Sequence, residues 1–252
     1  MPEDPNFYLF ALPAVLLIGL AKGGFSGLGA LGTPLMAIGI ADPVKAAAIL
    51  LPILIAQDVV GVAAFRKSWE GSILAAMLPG AIVGIGLGYL LAAYVSADAV
   101  MAALGGISIL FGLYRLWIER GGRIAASSSS PGWIGSLFGV ATGFTSQIAH
   151  AGGPPFQMWV MPKQLHRDVF VGTSAIFFAI INWIKVPAYV ALGQFTPENA
   201  VASAILLPVA VLASLAGVKL VRRVSVERFY TIIYLLMIAA GAKLLLDGTG
   251  LA

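Results

Sequence analysis

The chain has 252 residues, of which 60% are hydrophobic and only 10% are charged. A soluble domain carries about 25% charged residues, so this composition excludes a soluble globular protein and indicates a chain that lies largely in lipid. The net charge of +4 does not indicate a nucleic-acid partner, because the basic residues lie at the ends of apolar segments, and the lack of cysteine excludes disulfides and thiolate metal sites.

The first half of the chain begins with a broken apolar region, 8–41. A glycine-rich stretch, 22–32, interrupts this region, and Pro34 follows the stretch. Three uninterrupted apolar segments come next, each long enough to cross a bilayer as an α-helix; they lie at about 46–65, 72–95 and 99–118. We therefore predict a first membrane repeat over 1–118, with one broken helix pair and three spanning helices.

The second half repeats this order of elements after a polar linker at 119–131. Its broken region, 132–161, contains the stretch 143–153 and then two prolines. Further full-length apolar segments lie at about 169–191, 200–221 and 229–246. Because Gly32-Thr33-Pro34 aligns with Gly153-Pro154-Pro155, we predict a duplicated, all-α fold with a second repeat over 132–252.

The lysines and arginines predict how the two repeats are oriented. If both broken regions crossed the membrane, giving eight spans, the thirteen basic residues outside lipid would divide six to seven between the faces. If each broken region dips in and returns, eleven lie on one face and only Lys45 and Lys243 on the other. The second arrangement predicts an inverted repeat with its basic-rich face in the cytoplasm. Eight tilted or broken spans also fit the segment lengths.

The two breaks are the most informative feature for function. Irregular backbone survives in lipid only where it lines a cavity or packs on protein, because unsatisfied polar groups cost several kcal/mol there. Thr33 as an N-cap and Pro34 as a first helical residue predict a half-helix that begins near the midplane, and Pro155 can start a second one. The two N-termini carry positive dipole ends, so we predict that they converge on a small anion.

The predicted anion site draws on both breaks and on one later helix. Lys22 and His150 are its ionisable members, and such groups within lipid are usually functional. Lys22 could instead complement the dipole at the end of the first half-helix, and His150 could be a hydrogen-bonded packing residue or a proton-linked switch. The other predicted substrate-binding residues are Gly24, Ser26, Gly32, Thr33, Thr145, Ser146, Gln147, Gly153, Gln157 and Asn182.

Three further polar residues lie within predicted spans, and we assign them to coupling or charge pairing: Gln57, Asp58 and Lys185. A buried aspartate is costly unless it is paired, and Lys22 or Lys185 is a candidate partner for Asp58. The alternative is that Asp58 and Lys185 lie near helix ends and snorkel to the interface. A ladder of small residues in one span predicts helix packing and not a site: Gly80, Gly84 and Gly88.

Three stretches carry a resemblance to a known family. They are Gly27-Leu28-Gly29-Ala30-Leu31-Gly32-Thr33-Pro34, the stretch from Gly143 through Gly153-Pro154-Pro155, and the run from Phe170 to Asn182-Trp183. Together with the duplicated core, they resemble the sulfite exporter TauE/SafE family of membrane permeases over essentially the whole chain. The resemblance implies outward transport of sulfur-containing anions, such as sulfite, sulfoacetate or related organosulfonates, across the bacterial inner membrane.

The sequence as a whole predicts a polytopic membrane protein that acts as a secondary transporter by alternating access around a midplane anion site. Its expected partners are a small anionic substrate and the lipid bilayer, with no cofactor, no metal and no nucleic acid; a homo-oligomer is left open. The alternatives are an anion channel and a membrane-embedded enzyme of the lipid phosphatase kind. No nucleophile or metal motif supports the enzyme, and the chain has no nucleotide-binding loop for direct ATP coupling.

Overall fold

A computed structural model describes residues 5–25, 28–92, 94–122, 130–220 and 227–251, with the backbone alone at 227–230. Ten α-helices account for nearly all the regular structure of these residues, joined by one 3-10 turn at Met161–Lys163. The helices are α1 (Pro5–Lys22), α2 (Gly29–Ile40), α3 (Pro43–Phe65), α4 (Gly71–Leu91), α5 (Ala97–Glu119), α6 (Gly132–Ala149), α7 (Gly153–Val160), α8 (Arg167–Ala191), α9 (Pro197–Leu220) and α10 (Glu227–Thr249).

Seven of the described helices are long and apolar enough to cross a membrane: α1, α3, α4, α5, α8, α9 and, from Thr231 onward, α10. Six of them coincide with the six uninterrupted apolar segments of the sequence. Their outward surfaces carry many exposed leucines, valines and isoleucines, which lipid can cover. The prediction of an all-α polytopic membrane protein is therefore confirmed.

Each broken region folds back on itself as a pair of antiparallel helices. Gly39, near the end of α2, lies against Phe10, near the start of α1, so α2 returns along α1. In the same way Gly135 of α6 lies against Trp159 of α7. The returning helices are short, with 12 residues in α2 and eight in α7, against 18 in α1 and in α6. This geometry supports the arrangement in which each broken region dips in and returns.

The predicted start of α2 is wrong. The helix begins at Gly29 with Leu28 at the N-cap position, so Thr33 and Pro34 lie inside it and Thr33 is not a cap. Leu28 already has right-handed helical backbone angles, and the helix continues through Gly29 and Gly32 despite the low helix propensity of glycine. Proline has no N–H, so Pro34 removes one backbone hydrogen bond from the helix. Neighbouring helices can satisfy the backbone group that is freed in this way. The prediction for α7 is closer, because that helix begins at Gly153 and has both its prolines in the first turn.

Four helix pairs join a helix of the first half of the chain to a helix of the second half. α1 packs along α9 and α6 along α4, each in the same direction, whereas α3 with α8 and α5 with α10 run antiparallel. The first five helices correspond in order to the last five, so that α1 corresponds to α6 and α4 to α9. Exchanging each helix for its counterpart turns the pair of α1 with α9 into the pair of α6 with α4, and it leaves the other two pairs as they are. Close glycine contacts set the directions: Gly19 with Ala213, Gly23 with Gly217, Gly80 with Ser136, Gly84 with Val140 and Gly88 with Gln147. The packing role predicted for the α4 glycine ladder is therefore confirmed, and the exchange supports the predicted duplication.

Three of the four exposed tryptophans among the described residues lie at helix ends, and the fourth, Trp183, lies within α8. Trp69 precedes α4, Trp117 lies in the last turn of α5 and Trp133 in the first turn of α6, and all three are exposed. Tryptophan favours the membrane–water interface. These helix ends are also those beside Arg66, Lys67 and Arg120, so the aromatic residues and the basic residues indicate the same membrane boundary.

Candidate functional site

A cavity with about 120 Å³ of open space lies where both helix hairpins meet α3 and α8. Gly29 and Gly153, the first residues of α2 and α7, both line it. The N–H groups in the first turn of a helix have no intrahelical acceptor, and the helix dipole places partial positive charge at that end. The N-termini of the two returning helices therefore meet at one cavity.

The predicted substrate-binding residues divide into those that line this cavity and those that do not. Seven of them line it: Lys22, Thr33, Ser146, His150, Gly153, Gln157 and Asn182. Gly24, Gly32, Thr145 and Gln147 lie elsewhere. Gly24 has a φ of 128° in the turn after α1, Gly32 packs against Ile18, and the Thr145 hydroxyl donates to the Ala141 carbonyl. Ser26 lies outside the described residues.

A buried ion pair lies at the cavity wall. The Lys22 ammonium, at the end of α1, donates to one carboxylate oxygen of Asp58, in the middle of α3. The other carboxylate oxygen accepts a 2.6 Å hydrogen bond from Nδ2 of Asn182. Of its two candidate partners, Asp58 therefore pairs with Lys22. Asp58 is only 2% exposed, so the interpretation of this residue as a snorkelling side chain is wrong.

Lys185 is a second buried amine, with a very different environment. Its Nζ donates to the Ser146 carbonyl oxygen at 3.2 Å and to the Ser146 hydroxyl at 3.0 Å, and it shares a 2.7 Å hydrogen bond with Nδ1 of His150. Among the described residues, no carboxylate lies within ion-pair distance of this nitrogen. Lys185 has no exposed surface, so the snorkelling interpretation is also wrong for this residue.

Both ring nitrogens of His150 have partners inside the protein. The Ala47 carbonyl can only accept, so Nε2 carries a proton and donates to it at 2.8 Å, while Nδ1 shares a 2.7 Å hydrogen bond with Nζ of Lys185. The ring stacks on Tyr189 with 5.9 Å between centroids, and the Tyr189 hydroxyl donates to the Gln147 carbonyl at 2.9 Å. His150 therefore joins the second break to α3 and α8, with neither nitrogen left to donate to a ligand.

Two buried glutamines differ in what their amide nitrogens contact. Gln157, at 8% exposure, lines the cavity, and its Oε1 has no hydrogen-bond partner. That oxygen can accept from water or from a protonated ligand, and the amide N–H groups of the same side chain can donate to an anion. Gln57 also has an Oε1 without a partner, but its Nε2 donates to the carbonyls of Val15 and Ala210, at 3.4 Å and 3.2 Å, and thus holds α1 and α9 against α3. It does not line the cavity.

One side of α8 supplies cavity residues that were not predicted. Phe170, Ser174 and Phe178 line the cavity one turn apart, and the Phe178 ring centroid lies 5.1 Å from Nζ of Lys22. A serine and two phenylalanines in an apolar helix are unremarkable in a single sequence. Counting back from Asn182 in steps of four would have found all three, because residues at that spacing share a helix face.

Phe170 and Val171, near the start of α8, line one end of the cavity, the end that the basic residues predict to be nearer the cytoplasm. On the other side, the segment 46–51 of α3 is at most 1% exposed. Tyr189 lies in this packed layer, and beyond it a second cavity with about 90 Å³ of open space is lined by Tyr189, Gln147 and Gln194, among others.

Within the described residues, no three His, Asp or Glu side chains come together in a way that could hold a metal ion. Comparison with protein families finds that the model described as "Sulfite exporter TauE/SafE" matches residues 11–244. No curated protein and no solved structure gives a significant match. The matched range contains both breaks and every residue of the cavity.

Proposed function

The chain belongs to the sulfite exporter TauE/SafE family, a family of membrane transporters, and from that premise we propose that it exports a small sulfur-containing anion, such as sulfite or an organosulfonate, across the bacterial inner membrane. The family that the sequence motifs indicated is thus confirmed. The observation that carries the proposal is the cavity at which the N-termini of α2 and α7 converge beside Lys22. Oriented N–H groups and ammonium donors suit an oxyanion.

Three features support transport by alternating access. The cavity is nearer the basic-rich face, a packed layer with Tyr189 closes its other end, and a second cavity lies beyond that layer. Both hairpins contribute to the site, so a movement of one hairpin against the rest would change which cavity adjoins it. A carrier of this kind exposes its site to one side at a time.

A pair of neighbouring residues in α7 allows a controlled test. Gln157→Leu removes the cavity amide, whereas Met158→Leu changes the next residue, which is 44% exposed on the outer surface. A hydrogen bond to a charged ligand contributes about 1.5–3 kcal/mol, so we expect Gln157→Leu to weaken sulfite binding by about 10- to 100-fold and Met158→Leu to leave it unchanged. Binding is measured by thermal stabilisation of the purified protein.

Proteoliposomes then distinguish a carrier from a channel. A carrier accumulates labelled sulfite transiently against unlabelled sulfite loaded inside the vesicles, whereas a channel only equilibrates it. Stabilisation by none of sulfite, methanesulfonate, acetate or phosphate, together with no flux, would overturn the proposed function. If both α7 variants weaken sulfite binding equally, Gln157 does not contact the substrate, but the proposed transport function still holds.

A further inference from the structure

A third cavity lies against the same two helix hairpins, between them and the helices α5 and α10. It has about 60 Å³ of open space. It shares five lining residues with the substrate cavity, the one that Lys22 and Gln157 line: Gly29, Ala30, Thr33, His150 and Gly153. Because Gly29 and Gly153 are the first residues of α2 and α7, the two cavities adjoin at the helix N-termini that would bind the anion.

The residues that line only this third cavity are almost all apolar, and we call it the apolar cavity. They come from α5, from α10 and from the second break: Leu104, Ile107, Phe111, Met237, Ala151 and Pro154. The remaining one, Ser108, donates its hydroxyl to the Leu104 carbonyl at 2.7 Å, so its proton is already used. In the part of the chain that the structure describes, no lysine, arginine, aspartate or glutamate lines the apolar cavity.

The apolar cavity lies inside the protein and is not a dent in its lipid-facing surface. Leu104, Phe111 and Met237 are at most 3% exposed. Protein interiors are close-packed, and an empty void deprives the side chains around it of contacts on one side. A ligand that placed an apolar group in this void would therefore gain both the contacts and the removal of that group from water.

The two adjoining cavities differ in their chemistry. Lys22, Gln157 and Asn182 line the substrate cavity and not the apolar one. A molecule that occupies both would have its polar group on the side of α3 and α8 and its apolar group on the side of α5 and α10. Its polar group would lie at the N-termini of α2 and α7, which line both cavities. The arrangement thus fits an anion with an apolar tail better than a bare inorganic oxyanion.

We propose that the apolar cavity is a subsite for the organic tail of the substrate. The protein then prefers sulfonates that carry a short apolar chain over sulfite and over sulfonates with a polar tail. The inference rests on the proposed function and narrows its substrate class. A hydroxyl or carboxylate at the end of the chain would lose its water in the apolar cavity without gaining a partner, and such a loss is costly.

The test compares three sulfonates of equal charge by thermal stabilisation of the purified protein. Propanesulfonate is longer than methanesulfonate by two methylene groups, and hydroxyethanesulfonate matches its length but ends in a hydroxyl. Burying one methylene raises affinity about fourfold, so we expect propanesulfonate to act at concentrations about tenfold lower than either of the others. Equal or weaker stabilisation by propanesulfonate would overturn the inference alone. Stabilisation by none of the three, and none by sulfite, would overturn the proposed function as well.

Variants in α5 test where the tail binds. Ile107→Phe fills part of the apolar cavity and should reduce the preference for propanesulfonate over methanesulfonate to about threefold or less. Leu110→Phe is the matched control, because Leu110 is 71% exposed on the outer surface, and it should keep the wild-type preference.

Ile107→Ala changes the same position in the opposite direction. It enlarges the apolar cavity and should raise the preference for pentanesulfonate over propanesulfonate by about threefold or more. A merely structural effect would weaken all sulfonates together, and partition of the chains into detergent would be the same for every variant, so neither changes these ratios. Wild-type ratios in whichever Ile107 variant folds would contradict the tail subsite.

Discussion

Asp58 and Asn182 have the same position along α3 and α8, and they contact each other. Each is the sixteenth residue of its helix, counted from Pro43 in α3 and from Arg167 in α8. Since α3 and α8 run antiparallel, the pseudo-twofold axis of a duplicated fold would pass between the two side chains. Two aspartates here would place like charges within 2.6 Å. An aspartate opposite an asparagine gives a hydrogen bond instead, so the two halves differ where they meet.

The hydrogen bond between these residues should be worth more than an ordinary one. Asn182→Ala leaves a buried carboxylate oxygen without its donor, and a hydrogen bond to a charged group contributes about 1.5–3 kcal/mol. Asn199→Ala is a matched control, because Asn199 is also buried and its Nδ2 donates at 2.9 Å to an uncharged carbonyl, that of Gln194. There we expect a loss of about 1 kcal/mol. Unfolding of the purified protein in denaturant measures both, and an equal or smaller loss at position 182 would contradict this view.

The sequence alone could identify the polar residues of the site but not their pairing. Lys22, Asp58 and Asn182 are conspicuous because few polar groups lie in apolar segments, and such groups are usually functional. Whether Asp58 pairs with Lys22 or Lys185 depends on how α1, α3 and α8 cross, which no local pattern specifies. Tyr189 was missed for a related reason: a tyrosine near a helix end is typical of a membrane interface, and only the tertiary contact with His150 distinguishes it.

At the scale of the elements, the glycine-rich breaks were easier to predict than the helix ends beside them. Glycine and proline mark where a spanning helix is interrupted, and both interruptions occur where the composition indicated. The exact start of α2 was not predictable from capping rules, because Leu28 lies at its N-cap position and has no side chain that can cap a helix. In a protein-lined interior, neighbouring helices can satisfy the backbone groups that Pro34 frees.

The close packing of α4 on α6 depends on glycine at particular positions. An added Cβ at Gly84 would lie 2.1 Å from the Val140 carbonyl oxygen, whereas one at Gly86, half a turn away, would meet nothing within 4 Å. We expect Gly84→Ala to destabilise the protein by about 1–3 kcal/mol, because two helix backbones must move apart. Gly86→Ala should be neutral or slightly stabilising, because alanine favours a helix. Thermal unfolding of the two variants in detergent checks this, and equal stability would show that α4 and α6 are not in close contact.

At the scale of the whole molecule, the directions of the helix pairs agree with an inverted repeat. If each hairpin dips in and returns, α1 and α9 enter from one face, and α4 and α6 from the other. The parallel packing within each of these pairs is then required, as is the antiparallel crossing of α3 with α8. The count of basic residues predicted this orientation without any structure, because the charge bias acts on the loops and is independent of how the helices pack. Inversion itself stays a prediction.

Single cysteines can test the inversion, since the chain contains no cysteine to interfere. Arg120 follows α5, Gln164 precedes α8, and both are exposed. If the second hairpin returns to its own face, cysteines at these two positions react with a membrane-impermeant thiol reagent from the same side, the cytoplasm. Thr196→Cys, between α8 and α9, should react only from the opposite side. A hairpin that crossed the membrane would instead place positions 120 and 164 on opposite faces, and that labelling pattern would exclude the inverted arrangement.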